Sequence, residues 1–288
     1  MSAAQTLELP THSPLTVTPL QPTIGAEIGG IDLRQPLTAT LRDDIKALLL
    51  KYRVVFFRDQ EITREQHVAF ATAFGPIYQF PLHRDVDGSR QIHKIKPEYA
   101  NLTRSAEDAT QYGNGAGYHT DTSWRLVPTW GAVLRAVNLP PVGGDTIWVD
   151  AHRAYEELPE ETKTRLAGLH VVHDMRHTLP EEHRGYPVVA HPIVRRHRET
   201  GEQILWVNYS ARPSVIGLDR AESTEVLRLV ADQYKRPEYQ VRFAWRPGSI
   251  AFWDNRAAVH YAVRNYGDFP RLLERVLIGE SDRLYAEL

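Results

Sequence analysis

The chain of 288 residues contains no cysteine. That excludes disulfides, thiolate metal sites and a cysteine nucleophile, and leaves any bound metal to histidine, carboxylate or water. Nor is there an excess of one charge: 34 Lys and Arg stand against 36 Asp and Glu, mixed throughout. The basic stripe that a nucleic-acid binder needs to neutralise phosphates is therefore missing. No run approaches the roughly 18 apolar residues of a membrane span, and the opening residues show no basic segment followed by an apolar one. The expectation is a cytoplasmic protein with neither nucleic-acid nor membrane partner. What is present is an ordinary globular composition, with 42% hydrophobic residues on a chain long enough to enclose a pocket shielded from water.

Residues 1–14 are polar, with Pro10 and Pro14, and read as a flexible arm before a single domain over 15–288. Leu41, Ile45, Leu48, Leu49 and Tyr52 recur at helical spacing, and the apolar run 54–57 reads as a buried strand. Thr63 with Gln66 three residues on predicts a capping box and a second helix through Phe74, stopped by Gly75 and Pro76. Over 82–118 the pattern dissolves toward Gly113, Asn114, Gly115 and Gly117, as in a long surface loop of the kind that covers a site. Strand-like runs follow at 130–137, 146–149, 169–173, 204–208, 239–245, 249–253 and 272–278, interrupted by helices starting near Pro159 and Ala221. Strands this dense, without regular β-α-β alternation, favour a mainly β fold with helical insertions, an antiparallel sandwich or jelly roll.

Of the 13 histidines, most are expected to be surface or hydrogen-bonded residues. His119-Thr120-Asp121 departs from that reading. In extended chain, residues i and i+2 point the same way, so an imidazole and a carboxylate can converge on one metal. A redox-active non-haem iron site wants a third ligand on the same face and three open positions. His260 is the best candidate, placed after a strand and turn at the beginning of the next strand. His170 and His173, three apart on a strand, face opposite sides and are assigned to structure.

Together these residues carry a resemblance. His119-Thr120-Asp121, then Gly143-Gly144-Asp145-Thr146 with Trp148, then Trp253-Asp254-Asn255-Arg256 running to His260, then Arg271 and Arg275, resemble the taurine dioxygenase (TauD/TfdA-like) family of iron(II)- and 2-oxoglutarate-dependent oxygenases. The resemblance extends from Ile24–Ile28, through Val55-Phe56-Phe57-Arg58, to Arg275–Gly279. It implies a double-stranded β-helix, the jelly-roll form with its ligands at one open end. It also implies His119, Asp121 and His260 as a facial triad for Fe(II), with 2-oxoglutarate and O2 as co-substrates. An aspartate at position 121, where similar halogenating enzymes have a small residue, points to hydroxylation.

By the same resemblance Arg271, eleven residues past His260, takes the far carboxylate of 2-oxoglutarate, and Thr146 donates its hydroxyl to it. Arginine suits that role because its fork gives two parallel hydrogen bonds, which lysine cannot. Arg275 lies on the same face of the last strand and corresponds to the residue that meets the anionic group of the primary substrate. Its alternative is a pairing with a protein acid on the opposite sheet. Taurine-using relatives tend to carry a histidine where this chain has Phe80, which cannot hydrogen-bond a sulfonate. Tyr118, Trp124, Trp206 and Tyr209 flank the motifs and are candidates to line the pocket beside Phe80, although aromatics are more often core.

The resulting expectation is hydroxylation of a C–H bond in a small anionic molecule, a sulfonate, sulfate ester or carboxylate, with 2-oxoglutarate becoming succinate and CO2. Hydroxylation next to sulfur, oxygen or nitrogen gives a product that collapses with C–S, C–O or C–N cleavage. A homodimer or homotetramer is expected. Two other classes use the same residues: a zinc hydrolase, since His, Asp and His also suit Zn2+, and a non-catalytic jelly-roll binding module.

Overall fold

The computed structural model describes residues 13–79, 90–96, 117–178, 181, 184–185 and 187–279. The expected arm over 1–14 falls almost wholly outside them, as do Phe80 and most of the expected 82–118 loop. Within that loop one element is described: His93–Ile95 forms an edge strand, so this part is sheet where loop was expected.

Two sheets carry the site. The larger has seven strands in the order β1 (Thr16–Pro19), β2 (Ala26–Gly29), β3 (Val54–Phe57), β13 (Ile250–Asp254), β5 (Gly131–Asn138), β15 (Leu272–Ile278) and β4 (His93–Ile95). All pair antiparallel except β2 with β3. The smaller has β6 (Thr146–Asp150) between β12 (Gln240–Phe243) and β14 (Ala258–Ala262). Short strands complete the chain: β7 (His170–His173) between β8 (Val189–Pro192) and β11 (Ser214–Val215), and β9 (Val194–Arg196) with β10 (Gln203–Leu205).

Alternation along the strands sorts side chains into layers. Val54, Phe56, Ala132, Leu134, Ala251, Trp253, Leu273 and Leu277 of the large sheet meet Trp148, Val241, Phe243 and Ala258 of the small one in a shared interior. Phe56 stacks on Phe243 with ring centroids 4.0 Å apart and meets Trp148 edge-on at 5.4 Å. The opposite face of the large sheet, with Val55, Phe57, Val133, Phe252 and Val276, is covered by α1 (Ala39–Tyr52) and α2 (Arg64–Thr72). The outer face of the small sheet packs, through Val149 and Val259, against Val226, Leu227, Val230 and Tyr234 of a helix near the end of the chain.

The helices form where local chemistry directs. Thr63 and Gln66 make the expected reciprocal capping box at the start of α2. The next two helices are short, α3 (Ala151–Glu156) and α4 (Glu160–Leu166). The last, α5 (Arg220–Tyr234), opens on a second box, Asp219 with Glu222, and ends before Pro237. Among the described residues no helix is long and apolar enough to cross a membrane.

Among the buried histidines, His67 and His173 sit as neutral rings. His67 contacts the Val133 carbonyl at 3.1 Å, and His173 Nε2 accepts from the Asn208 N–H at 3.1 Å. Burial pushes the first down to about 4 and the second to about 3. Below the ordinary histidine value of about 6.5, the unfolded chain takes up protons that the folded chain refuses. Stability should therefore be flat above neutrality and fall by several kcal/mol between about pH 6.5 and pH 4. Denaturant midpoints measured across that range check this; midpoints that do not move with pH would contradict it.

Candidate functional site

His119 and His260 are brought together by backbone. Each donates its N–H to the other's carbonyl, at 2.9 and 2.8 Å, in a one-residue antiparallel bridge. The imidazole centroids are 4.1 Å apart. His260 lies in the middle of β14, two residues beyond its first residue and not at its beginning as expected. There it pairs with Trp148 of β6 and turns into the interior between the sheets, its ring 5.0 Å from that of Trp253. Asp121 follows the bridge by two residues, where the chain turns away through Thr122 at φ 53°.

One donor atom from each of His119, Asp121 and His260 lies within 4.8 Å of the others. The donor set and its surroundings fit a divalent metal. His119 Nδ1 is 2.9 Å from the Gly117 carbonyl, which assigns that nitrogen the proton and turns Nε2 toward a metal. Burial, with His119 and the Arg275 guanidinium beside it, holds His260 well below the usual histidine range, so it is neutral as a ligand must be. Asp121 Oδ2 is buried with no hydrogen-bond partner. Such an oxygen is costly to bury unless something positive meets it. Two nitrogens and one oxygen are the donor set of a non-haem iron centre.

A second arrangement lies along β6. Arg271 is buried and donates from Nε to the Gly144 carbonyl at 3.0 Å, while its Nη2 has no hydrogen-bond partner. No acid pairs with it among the described residues, and burial lowers its pKa. Gly144, at φ 74°, leaves it room: a Cβ there would stand 3.0 Å from Arg271 Nε. Two residues on, Thr146 Oγ1 accepts from the Trp245 indole N–H at 3.0 Å, which leaves its own proton to be donated elsewhere. A buried guanidinium with an open nitrogen, bonded to Gly144 two residues before a hydroxyl with a proton to give, is a fitting receptor for a carboxylate.

Arg275 donates from Nη1 to Asp121 Oδ1, and its buried Nε has no hydrogen-bond partner. Of the two expectations for this residue, the structure displays a pairing with a protein acid, and that acid is itself one of the three converging donors. Between Arg271 and Arg275 a bulge shifts the register of β15 at Leu272 and Leu273.

The aromatic candidates separate. Tyr118 and Tyr209 are buried in the core beneath α5. The Tyr118 hydroxyl accepts from Gln240 Nε2 at 2.9 Å, and the Tyr209 hydroxyl donates to the Leu227 carbonyl at 2.5 Å. Trp206 is also buried, under the Arg195 guanidinium at 4.4 Å. Trp124, in the turn after Asp121, is half-buried and lies close to His119 and Asp121 in sequence. Phe80 lies outside the described residues.

Residues 16–277 match the family described as Taurine catabolism dioxygenase TauD, TfdA family. The chain is 32% identical to an alpha-ketoglutarate-dependent sulfate ester dioxygenase of Pseudomonas putida, over 97% of this chain and 95% of that protein. It is 32% identical to the (S)-phenoxypropionate/alpha-ketoglutarate-dioxygenase of Sphingobium herbicidovorans, over 86% and 88% respectively. Among solved structures, a taurine dioxygenase from Burkholderia xenovorans aligns with a TM-score of 0.78 at 38% identity, covering 92% of this chain and 91% of that one. AAD-2 in complex with Mn(II) and N-oxalylglycine aligns with a TM-score of 0.77 at 25% identity, covering 94% and 99%.

Proposed function

The chain belongs to the TauD, TfdA family of alpha-ketoglutarate-dependent dioxygenases, and from that premise we propose that His119, Asp121 and His260 hold its iron(II) for hydroxylation of a small anionic organic molecule. The observation that carries the reading is Arg271. Three donors alone suit a zinc hydrolase equally, but a buried arginine without an acid calls for an anionic co-substrate, which hydrolysis does not need. The facing sheets form a double-stranded β-helix with the site at one end, within one domain over 15–288. The protein works in the cytoplasm as a homodimer or homotetramer.

Iron(II) bound there supplies the activation of O2, coupled to conversion of 2-oxoglutarate to succinate and CO2. The chain's own residues hold the reactants. The Gly117 carbonyl fixes the His119 ring, and burial keeps His260 unprotonated. Arg271 clamps the far carboxylate of 2-oxoglutarate, with the Thr146 hydroxyl as a further donor. Trp148 and Trp253 wall off water behind His260.

Arg275 holds Asp121 with one nitrogen and offers the remainder of its fork to the anionic end of the primary substrate. The relatives above act on a sulfate ester and a phenoxypropionate, and Phe80 replaces a polar group that a short sulfonate would want. The favoured substrates are thus sulfate esters and aryloxy or alkyl carboxylates, with taurine a poor one. Hydroxylation at the carbon bearing the ester or ether oxygen gives an adduct that fragments, so C–O cleavage is the visible outcome.

Succinate release from 2-oxoglutarate, screened with alkyl sulfates, alkylsulfonates, phenoxy acids and amino-acid-like anions, tests this. At least one larger anion should stimulate it well beyond taurine. Arg275→Gln, which keeps an amide donor near Asp121, should raise the KM for that anion about a hundredfold while leaving the 2-oxoglutarate requirement nearly unchanged. Equal turnover of taurine would remove the argument from Phe80, and an unchanged KM in Arg275→Gln the anionic assignment.

A further inference from the structure

The backbone ladder that fixes His119 against His260 stops after that one bridge. In an antiparallel ladder the next hydrogen-bonded pair would be two residues on, Asp121 opposite Ala258. The chain turns at Asp121 instead, and its N–H and carbonyl meet no backbone partner among the described residues. Both are met by one side chain. Asn255 Oδ1 accepts from Asp121 N–H at 2.8 Å, and Asn255 Nδ2 donates to the Asp121 carbonyl at 2.9 Å. The carboxamide thus supplies, as a side chain, the acceptor and donor that a neighbouring strand would have supplied.

The rest of the network fixes which way that amide faces. Asn255 Nδ2 also donates to the Thr129 carbonyl at 2.9 Å, and the Thr120 hydroxyl lies 3.1 Å from Oδ1 and 2.9 Å from the Asn255 carbonyl. With oxygen and nitrogen exchanged, the amide oxygen would face two carbonyls and the NH2 an N–H, so only one orientation satisfies all partners. Asn255 is fully buried, and its own N–H donates to the Trp130 carbonyl at 2.9 Å. It sits in the turn between β13 and β14, closed by Ala257 N–H to the Asp254 carbonyl at 3.1 Å, and β14 carries His260. One short turn thereby links the backbone of Asp121 to the strand that holds His260.

We propose that Asn255 is the positioning residue of the metal site, setting where the Asp121 carboxylate stands relative to the two imidazoles. The proposal rests on the metal assignment above and goes beyond it, because Asn255 is not one of the three converging donors. A residue that only stabilised the fold would leave metal affinity unchanged in molecules that remain folded. A residue that places a ligand would not.

The test uses Mn(II), whose binding is read by titration and by its electron paramagnetic resonance, with no turnover required. Asn255→Asp keeps the size but sets a carboxylate oxygen against the two carbonyls. It should weaken Mn(II) binding by about 10–100-fold, the range found when a partner behind a metal ligand is removed, and alter the resonance line shape. Thr120→Val, which removes one of the bonds fixing the amide, should weaken it less but measurably, and decides the matter alone if Asn255→Asp does not fold. His67→Gln disturbs a buried hydrogen bond remote from these residues and should leave Mn(II) binding at the parent value. Parent-like affinity in folded Asn255→Asp or, failing that variant, in Thr120→Val would overturn the proposal, as would an equal loss in His67→Gln. A parent protein that binds no Mn(II) would instead overturn the metal assignment, and this inference with it.

Discussion

Replacing His119, Asp121 or His260 by alanine, one at a time, will abolish turnover, a loss exceeding the roughly 10–100-fold that follows removal of a partner behind a ligand. The reason is geometric: the three donors lie within 4.8 Å of one another, and any two leave the metal under-coordinated. The three variants should differ in stability. His119 and His260 are joined through backbone atoms that alanine retains, so the bridge between them persists. Asp121→Ala leaves the Arg275 guanidinium without its acid and should cost about 1–3 kcal/mol, whereas Asp121→Asn keeps an acceptor and should cost less. Circular dichroism, denaturant midpoints and iron content measured on the same samples check the whole set. Turnover retained in any one alanine variant would remove that residue from the triad.

Arg271→Lys will raise the 2-oxoglutarate requirement by about tenfold to a hundredfold, with metal content unchanged. A buried hydrogen bond to a charged group is worth about 1.5–3 kcal/mol, and each 1.4 kcal/mol is roughly tenfold in affinity. Lysine keeps the charge and loses both the fork and the Nε bond to the Gly144 carbonyl. Gly144→Ala should reproduce the same defect without touching a charge. Its Cβ would stand 3.0 Å from Arg271 Nε and 3.1 Å from Cδ, on a backbone at φ 74° that alanine adopts with strain. Isothermal titration of the Mn(II)-loaded variants with 2-oxoglutarate under nitrogen measures this directly. Parent-like affinity in Arg271→Lys would mean that another residue holds the co-substrate.

Much of this was legible in the sequence where a local rule and a long-range need coincide. The Thr63 and Gln66 box lies within four residues and formed as read. The i, i+2 spacing of His119 and Asp121 singled out two of the three donors that lie within 4.8 Å of one another, whereas Arg271 was singled out only by the resemblance. What stayed hidden depends on contacts that spacing does not encode. Asn255 reaches Asp121 and Thr129 across separations of 134 and 126 residues, and nothing in its neighbours says which carbonyls its amide will meet. Tyr118 adjoins His119 in the chain, but adjacent residues on extended backbone face opposite ways. It therefore turns into the core beneath α5 while His119 turns to its partners. Short strands such as β4 and β11, of three and two residues, carry too few positions for any period to show. The helix α3, six residues long, escapes for the same reason, although Asp150 caps it through the N–H groups of His152 and Arg153.

We propose that one metal, one co-substrate carboxylate and five side chains, His119, Asp121, His260, Arg271 and Thr146, meet in this interior. A crystal structure of the protein with Mn(II) and N-oxalylglycine, a 2-oxoglutarate mimic, tests it most directly. The account predicts Mn(II) on one nitrogen each of His119 and His260 and on an Asp121 oxygen, with the far carboxylate of N-oxalylglycine on the Arg271 fork and beside the Thr146 hydroxyl. A metal bound elsewhere, or a mimic whose carboxylate leaves Arg271 without an anion, would contradict it.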